Sequence, residues 1–548
     1  MRLLFLLCCV SLTTFAQSVD SVIVTGQIKN LSARLYRDAP TVLVSRNNIL
    51  KASRELVRPA PLNVDGTFRV AMPLIYAQEE MYFNYGRIST AFLAASGTLR
   101  IDLNADSLFT AAVPFRFGGV NAQVNQQYAR YKATEAALPD KPNPQRLSEE
   151  VANKSVPETY RMVLSAYQTA FRKFASQENA FPLLSRWVQS GNRYSAAAFL
   201  YDKAAFDGQQ VPKSLADSLR PANDQLLTAA RAQAMNRFGD YAMQQNNRPE
   251  ISRDNNSIPI RTLSALLLRY GRNLSPDEQT RLETHREDNS IKQADLRFFQ
   301  KLISRNNDTI QRLVTYENVL RRSREQFDKP SVDYLTAYLL VNALPSLTLD
   351  FAKLLYSYAR PQVTDPQMVQ SLDELYRLEV GDSTRIRQAV QTLQKAGNRP
   401  EPVEITPGVF VTRDASVSGQ DLFDKVINAN RGKVIYVLVA DAADEAGRQA
   451  ALDAQRLRNA YSSTELAIVY LPIINAGAGL WPEFAAKTNL YGDHLLLTSE
   501  QLSDVLSRLR PDNNLSAVII DRAGKVKKRN ALLPGDYEEV RKAVEKYL

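Results

Sequence analysis

Short stretches of alternating apolar and polar residues fill the first part of the chain. Examples are "SVIVTGQIKNL", "APTVLVSRN", "DGTFRVAMPL", "EMYFNYG" and "GTLRIDLNAD", which are rich in Val, Ile, Phe and Tyr. Alternation with a period of two residues predicts β-strands, and Asp65-Gly66 and Ser96-Gly97 supply turns between them. We therefore predict a small antiparallel β domain, a sandwich or a barrel, over residues 19–117.

The pattern then changes to the period of an α-helix over residues 120–396. In "SVDYLTAYLLVNAL", Val332, Leu335 and Leu339 follow the spacing of one buried helix face. Aromatic residues recur at helical spacing in "QVNQQYARYKATEAAL" and "ETYRMVLSAYQTAFRKFA", which is typical of a core. This middle part is predicted to be an all-α domain whose helices pack as a bundle.

The last part of the chain alternates between strand and helix patterns. The stretch "AGNRPEPVEITPGV" has three prolines and little periodicity, so residues 397–409 are predicted to form a linker or an extended arm. After it, "KVIYVLVA" and "LAIVYLP" are continuous apolar runs, typical of strands covered on both faces. Residues 410–548 are therefore predicted to form an α/β domain, which makes the whole chain a multidomain α+β protein.

The N-terminus has the three-part pattern of a secretory signal peptide. Met1-Arg2 is followed by an apolar run, and Ala16 occupies a small-residue position before Gln17. No later stretch approaches the roughly 18 apolar residues of a membrane-spanning helix. We therefore expect residues 1–16 to be removed and the mature protein to be exported, soluble and periplasmic.

Cysteine and histidine are too scarce for most site chemistry. Cys8 and Cys9 are the two cysteines of the chain, and both lie inside the predicted signal peptide. Leu7 precedes Cys8, where lipidation requires a small residue, so we do not expect a lipoprotein. A mature chain without thiols excludes disulfides, thiolate catalysis and cysteine metal sites. With His285 and His494 as its two histidines, the chain is expected to hold no metal and no cofactor.

The charge balance does not indicate a nucleic-acid partner. The chain has 68 Lys and Arg against 58 Asp and Glu, a formal net charge of +10. These cations are scattered among acidic residues, in clusters such as "VKKRNA" and "VLRRSREQ". Solvated helix and hairpin faces explain such clusters better than a nucleic-acid footprint, and export would remove most nucleic-acid partners.

Several short pieces of the C-terminal part resemble a known family. They are "GK" before the first central strand, Trp481 after the second, "GDHLLL" and "VIIDRAGKV"; upstream, "DGTF" and "GTLRI" belong to the small β domain. In this order they resemble the TlpA-like exported disulfide reductases, whose redox domain is thioredoxin-like. The resemblance implies a C-terminal thioredoxin-like domain, preceded by a β domain and a helical spacer.

The same resemblance shows which chemistry is missing. Active relatives carry a Trp-Cys-x-x-Cys turn at the start of a helix, where the helix N-terminus favours the thiolate. In register with that motif, Asp444 and Gly447 stand at the cysteine positions and Ala443 stands at the tryptophan position. Leu515 stands where the family has a cis-proline facing the motif. Both hallmarks of the redox site are therefore absent.

The remaining candidate residues have structural explanations beside functional ones. Asp444 and Glu445 are expected to cap the helix that follows rather than to act as catalytic carboxylates. Asp493 and His494 are neighbours on a predicted strand and point to opposite faces, so they cannot easily form a catalytic pair. His285, in "LETHREDN", is expected at an exposed helix end or loop. Trp481 is expected to pack in the core or, alternatively, to line a binding groove with Ala443 and Glu445.

These observations favour a binding protein over an enzyme. The leading hypothesis is an exported, redox-inactive TlpA-like protein that acts as a binding or scaffold module in the cell envelope, with another envelope protein or peptide as its partner. No catalytic residue is assigned. The alternatives are a carboxylate-based hydrolase or lyase with a site in an interdomain cleft, and a thiol-disulfide oxidoreductase role of the family's kind.

Overall fold

The computed structural model describes residues 20–548 except 87, 139–141, 220–224, 248–257, 288–292, 396–398, 407, 442–443, 462–463, 474–479 and 512. The predicted signal peptide lies outside these residues. The chain divides into two compact units, one extending to Tyr376 and the other spanning Arg377–Leu548.

Two sheets packed face to face open the first unit. Its strands are β1 Ser21–Lys29, β2 Thr41–Asn48, β3 Lys51–Pro61, β4 Thr67–Pro73, β5 Gln78–Tyr85, β6 Ile88–Ala94, β7 Gly97–Asn104, β8 Phe115–Gly119 and β9 Leu226–Leu227. One sheet has the order β4-β1-β7-β8 and the other the order β3-β2-β5-β6, with β9 paired to β5. Inward residues of both sheets, such as Val24, Phe83 and Leu99, share one core.

The sandwich is not purely antiparallel, contrary to the prediction. β1 and β7 run parallel, with Val24 opposite Leu99. Between β1 and β7 the chain forms the strands of the other sheet. Such a long connection lets β7 run in the same direction as β1. The parallel pair β5–β9 is likewise formed across a long connection, because β9 follows the helix α5.

Helices make up most of the rest of the first unit. They are α1 Ala33–Asp38, α2 Ala122–Ala136, α3 Pro144–Glu150, α4 Val156–Gln177, α5 Pro182–Phe206, α6 Lys213–Ser218, α7 Ala229–Asn246, α8 Ile260–Tyr270, α9 Pro276–Glu287, α10 Gln293–Arg305, α11 Asn307–Gln326, α12 Lys329–Ala343, α13 Leu349–Ala359 and α14 Pro366–Lys395, the last of which extends into the second unit. Of the three residues predicted to share a buried face of α12, Val332 and Leu335 are buried and Leu339 is partly buried. Tyr334, outside that predicted face, is fully buried as well. Among the described residues, none of the helices is both long and apolar enough to cross a bilayer.

His285 is buried, so the prediction of an exposed position was wrong. It lies in α9 with 8% of its surface exposed, and its ring centroid is 5.3 Å from that of Phe299. Its Nε2 atom lies 3.3 Å from the Asp295 carboxylate. The polar stretch "LETHREDN" gives no sign that α10 packs over this histidine, because the contact is made by residues further along the chain.

The second unit is built on one mixed sheet. Its strands are β10 Arg399–Thr406, β11 Val409–Arg413, β12 Val434–Asp441, β13 Leu466–Ile473, β14 Gly492–Leu495, β15 Ser516–Ile520 and β16 Val526–Ala531; its helices are α15 Gly419–Ala429, α16 Glu445–Asn459, α17 Leu480–Lys487, α18 Ser499–Leu509 and α19 Tyr537–Glu545. The strand order is β10-β11-β14-β13-β12-β15-β16. β11, β14, β13 and β12 run parallel to one another, whereas the pairs β10–β11, β12–β15 and β15–β16 are antiparallel.

Helices cover both faces of this sheet. Alternate residues of β12 point to opposite sides, so Tyr436 and Leu438 pack with α16, α17 and α19, whereas Val437 packs with α15 and α18. All residues of β12 before Asp441 are buried, which explains the continuous apolar run in the sequence. The parallel centre, the antiparallel β15–β16 pair and the C-terminal helix support the thioredoxin-like fold expected here.

The predicted linker over residues 397–409 is mostly a strand. β10 pairs with β11, with Val403 opposite Val411, and forms one edge of the sheet. Prolines are tolerated on an edge strand because one side of its backbone has no sheet partner. Of the two alternatives predicted for this stretch, the extended arm agrees with the structure and the linker does not.

A buried ion cluster joins the sandwich to α14 inside the first unit. Arg46, with 1% of its surface exposed, forms an ion pair with Glu374 and lies 3.6 Å from the fully buried Glu79. Glu79 Oε1 accepts hydrogen bonds from the backbone N–H groups of Ile75 and Tyr76. Burial raises the pKa of the Glu79 carboxyl, and the neighbouring Arg46 charge opposes that rise. The cluster is stable only while both carboxylates keep their guanidinium partner.

We expect Arg46→Met to lower the free energy of unfolding of the first unit by about 3–5 kcal/mol, because it leaves two carboxylates without their buried cation. Chemical denaturation followed by circular dichroism measures the change. Arg58→Met, on the exposed surface of the neighbouring strand, is the matched control and should change stability by less than about 0.5 kcal/mol. Equal effects of the two substitutions would show that the cluster contributes no special stability.

Candidate functional site

The carboxyl ends of the parallel strands meet at one edge of the second unit. β12 ends at Asp441 beside the end of β13 at Ile473. The antiparallel β15 starts at the same edge, with Ser516 opposite Val439. In open α/β sheets ligands bind outside the carboxyl ends of the strands, so this edge is the candidate site. It also contains the positions that correspond to the family's redox motif.

Asp444 occupies the N-cap of α16 without capping it through its side chain. Its backbone carbonyl accepts a hydrogen bond of 3.1 Å from Arg448 N–H, but its carboxylate makes no capping hydrogen bond. Glu445 is exposed and lies 3.9 Å from the Arg448 guanidinium, a surface ion pair of little energetic value. The expected side-chain cap at Asp444 is therefore absent. Ala443 lies outside the described residues.

Gly447 allows α16 to start directly against the end of β12. A Cβ atom on this residue would lie 2.3 Å from the Asp441 carbonyl oxygen. That separation is far shorter than a van der Waals contact, so any side chain here requires the backbone to move. The position that carries the second cysteine in the family pattern thus has no room for a cysteine in this chain.

Leu515 does not present backbone as a cis-proline would. It is partly buried immediately before β15 and packs against the core shared by α16, α17 and α19. No cis peptide bond occurs in the described part of the chain. Of the three positions taken from the redox motif, then, Asp444 is exposed at a helix start, while Gly447 and Leu515 contribute to packing.

Trp481 is a core residue and does not line a groove. Only 1% of its surface is exposed, and its Nε1–H donates a 3.0 Å hydrogen bond to His494 Nδ1. Because an indole N–H can only donate, Nδ1 accepts and the proton of the imidazole sits on Nε2, which lies 2.8 Å from the Leu490 carbonyl oxygen. The histidine ring stacks on Tyr470 with centroids 4.5 Å apart. The alternative that placed Trp481 at a binding surface was therefore wrong.

His494 is neutral and structural. Burial lowers its pKa to about 4, and the Leu490 carbonyl only partly offsets that effect. Asp493, its neighbour on β14, instead accepts a 2.8 Å hydrogen bond from the Asn430 amide. Burial raises the pKa of this carboxyl. The two residues do not act as an acid–base pair, in agreement with the expectation that they point to opposite faces.

A groove at the same edge was not predicted from the sequence. It has a volume of about 530 Å³ and lies between the ends of β13 and β14, helix α18 and the segment before β15. Its lining consists of Ile473, Leu497, Ser499, Leu502, Ser503, Leu506, Ser507, Arg510, Pro511, Asn513 and Asn514. The four-residue spacing of the three serines, which places them on one helix face, is the signal that could have revealed it.

The side chains that line this groove are suited to binding a ligand. Hydroxyl and amide groups on its wall can donate and accept hydrogen bonds, and Arg510 supplies a positive charge. Among the described residues that line it there is no histidine, cysteine or carboxylate. Nor do the described residues contain a group of three or more His, Cys, Asp or Glu side chains suited to a metal ion.

No family model matches the chain, and no curated protein matches it. Two solved structures from Bacteroides vulgatus are similar over 22% of this chain. One, the thioredoxin domain of a thiol-disulfide oxidoreductase, has 18% identity, 82% of its length covered and a TM-score of 0.20. The other, a candidate thiol-disulfide oxidoreductase solved in solution, has 22% identity, 75% of its length covered and a TM-score of 0.19. The thioredoxin-like fold of the second unit therefore stands on its own strand order.

We expect Gly447→Ala to destabilise the second unit by about 1–3 kcal/mol, since the added methyl group meets the Asp441 carbonyl. Gly381→Ala is the matched control, because a Cβ atom there meets nothing within 4 Å in the middle of helix α14. That control should stabilise by about 1 kcal/mol through helix propensity alone. Thermal unfolding of both variants measures the two shifts, and a stabilising Gly447→Ala would contradict the close packing.

The buried neutral His494 should make the second unit less stable in mild acid. Its pKa falls from 6.5 in the unfolded chain to about 4 in the folded chain, so between these values only the unfolded chain takes up the proton. Stability is therefore lost as the pH falls from 6.5 towards 4, by about 2 kcal/mol at pH 5. Denaturant titrations at pH 7 and pH 5 should show this loss, and His494→Gln should reduce it. An unchanged pH dependence in the variant would rule out this assignment.

Proposed function

We propose that this chain is an exported, redox-inactive relative of the TlpA-like proteins that acts as a binding or scaffold module in the cell envelope. The single observation that carries the proposal is that Gly447, which the family resemblance aligns with a redox cysteine, leaves no space for a side chain. Asp444, at the other position, carries a carboxylate and no sulfur. Both cysteines of the chain lie among its first nine residues. A thiol-disulfide exchange requires a thiolate, so the second unit has no nucleophile for it.

The retained edge of the sheet supports a binding role. The groove beside α18 offers serine hydroxyls, asparagine amides and one arginine around an apolar floor of Ile473, Leu497, Leu502 and Leu506. An apolar site with a few polar groups is the usual composition of a ligand-binding pocket. The proposed occupant is a peptide or protein segment of another envelope protein.

An insulin-reduction assay tests the redox part of the proposal. We expect the full chain to reduce insulin in the presence of dithiothreitol no faster than the reagent alone, with an active thioredoxin as positive control. The Cys8→Ser/Cys9→Ser variant should behave in the same way, because the proposal gives these thiols no role. Turnover above the reagent rate in either protein would refute redox inactivity.

The binding part is tested by capture from an envelope fraction with the intact chain. Ser503→Trp fills the groove and should lose the captured protein, whereas Glu500→Trp, on the same helix outside the groove lining, should retain it. Equal capture by both variants would remove the groove from the proposed function and leave recognition to another surface.

A further inference from the structure

Helix α18 ends in a backbone conformation that glycine usually occupies. Its C-cap residue, Arg510, has a φ of 50° and a ψ of 57°, in the left-handed region, and its N–H donates a 2.7 Å hydrogen bond to the Leu506 carbonyl. In this region a Cβ atom crowds the following carbonyl oxygen, so glycine is the usual residue at such a helix end. The other four non-glycine residues with positive φ in the described part of the chain are asparagines, which tolerate it better. Arg510 is therefore held at a cost in stability.

The needs of the helix do not explain this arginine. A cation near the C-terminus of a helix interacts favourably with the helix dipole. Arg508 already supplies that charge in the last turn of α18, and its guanidinium lies 2.7 Å from the Asp424 carboxylate. The Arg510 side chain is exposed and, among the described residues, has neither a hydrogen bond nor an ion pair. Its guanidinium is therefore available to a ligand.

Arg510 lies at one end of the apolar floor of the groove beside α18. Leu502 and Leu506 are one helix turn apart on this floor, and Arg510 follows after one more turn, where the helix ends. Among the described residues of the lining, it is the one charged side chain. A segment that lies along the floor therefore meets apolar side chains first and a single positive charge at its end.

We propose that this groove binds the carboxyl-terminal segment of another protein, with apolar side chains on the leucine floor and the terminal carboxylate on Arg510. The inference rests on the binding role proposed above for the groove and names the ligand class. A guanidinium can hold a carboxylate through two parallel hydrogen bonds. Because the charge lies at the end of the apolar row and not within it, it corresponds to a chain terminus. An internal acidic residue would require the segment to continue past Arg510.

The single charge also favours a carboxylate over a phosphate. A phosphate group carries close to two negative charges at neutral pH. The groove offers one cation, and that cation lies at the C-terminal end of a helix, where the helix dipole is negative. A dianion would keep part of its charge unbalanced there, whereas a carboxylate is neutralised by one guanidinium.

A labelled peptide that ends in Leu-Val-Leu with a free carboxyl group is the probe for the full chain, and the same peptide with an amidated C-terminus is its control. We expect saturable binding of the free acid by fluorescence anisotropy and about tenfold weaker binding of the amide, since a charge-assisted hydrogen-bonded pair is lost. Arg510→Gln should lower the affinity for the free acid to that for the amide. The matched variant Arg522→Gln removes an exposed cation after the far end of β15, at the opposite edge of the sheet, and should leave both affinities unchanged.

Arg510→Gly separates a ligand-binding arginine from a structural one. Glycine adopts the left-handed conformation without strain, so this substitution should raise the melting temperature of the second unit by about 2–4 °C. The same substitution should weaken binding of the free acid as much as Arg510→Gln does. A lower melting temperature for Arg510→Gly would show that the side chain stabilises the fold, and the proposal would then be wrong.

Equal binding of the free acid and the amide by the unmodified chain would overturn the carboxylate assignment. An amidated peptide with an internal glutamate after the apolar residues, if it bound as tightly as the free acid, would exclude the chain terminus. Displacement of the probe by inorganic phosphate, but not by chloride at the same ionic strength, would contradict the preference for a carboxylate.

Ser503→Trp, which fills the groove, distinguishes failure of this inference from failure of the proposed function. If Ser503→Trp abolishes binding of the probe and Arg510→Gln does not weaken it, the groove remains a binding site and the role of Arg510 is wrong. If Ser503→Trp leaves binding of the probe unchanged, the groove is not the site, and both proposals are wrong.

Discussion

The close approach of helix α16 to the end of strand β12 determines what the second unit can do. Gly447 has no Cβ atom, and the helix uses that space to start against the Asp441 carbonyl. The dipole of the helix still points at this edge, yet the residue at its N-cap is an exposed aspartate with no capping bond of its own. The helix N-terminus that elsewhere activates the first thiol is thus present, but Asp444 stands there, and the second cysteine position, Gly447, has no room for a side chain.

Much of the architecture could be predicted from local patterns. Period-two alternation located the strands of the sandwich, and the continuous apolar runs marked β12 and β13 as strands covered on both faces. What could not be predicted was pairing between distant segments. The parallel β1–β7 pair, the short β9 beside β5 and the burial of His285 all depend on residues far away in sequence. The prolines before β11 left a linker and an extended arm open, and only the pairing with β11 shows that this stretch forms an edge strand, β10.

The candidate site was predictable only in part. Alignment to a redox motif identified Asp444, Gly447 and Leu515, but a sequence cannot show that the Gly447 position is sterically closed. Trp481 was open to two interpretations because an aromatic residue after a strand suits a core as well as a groove. Its hydrogen bond to the buried His494 shows that Trp481 is a core residue. The serines on one face of α18 have a four-residue spacing that is visible in the sequence. That spacing indicates a groove only when the positions of the neighbouring strand ends are known.

Two side-chain amides of α2 bond to edge strands of the sandwich: Asn125 to the backbone N–H and C=O of Leu93 in β6, and Gln126 to Phe117 N–H and the Phe115 carbonyl in β8. These bonds have a consequence for dividing the chain. A truncation placed near residue 120, where the β pattern gives way to the helical one, would remove Asn125 and Gln126 along with β9. The isolated sandwich would then expose the backbone of β6 and β8 and become prone to edge-to-edge aggregation. Although the sequence suggests a separable β module, its solubility depends on the first helix that follows it.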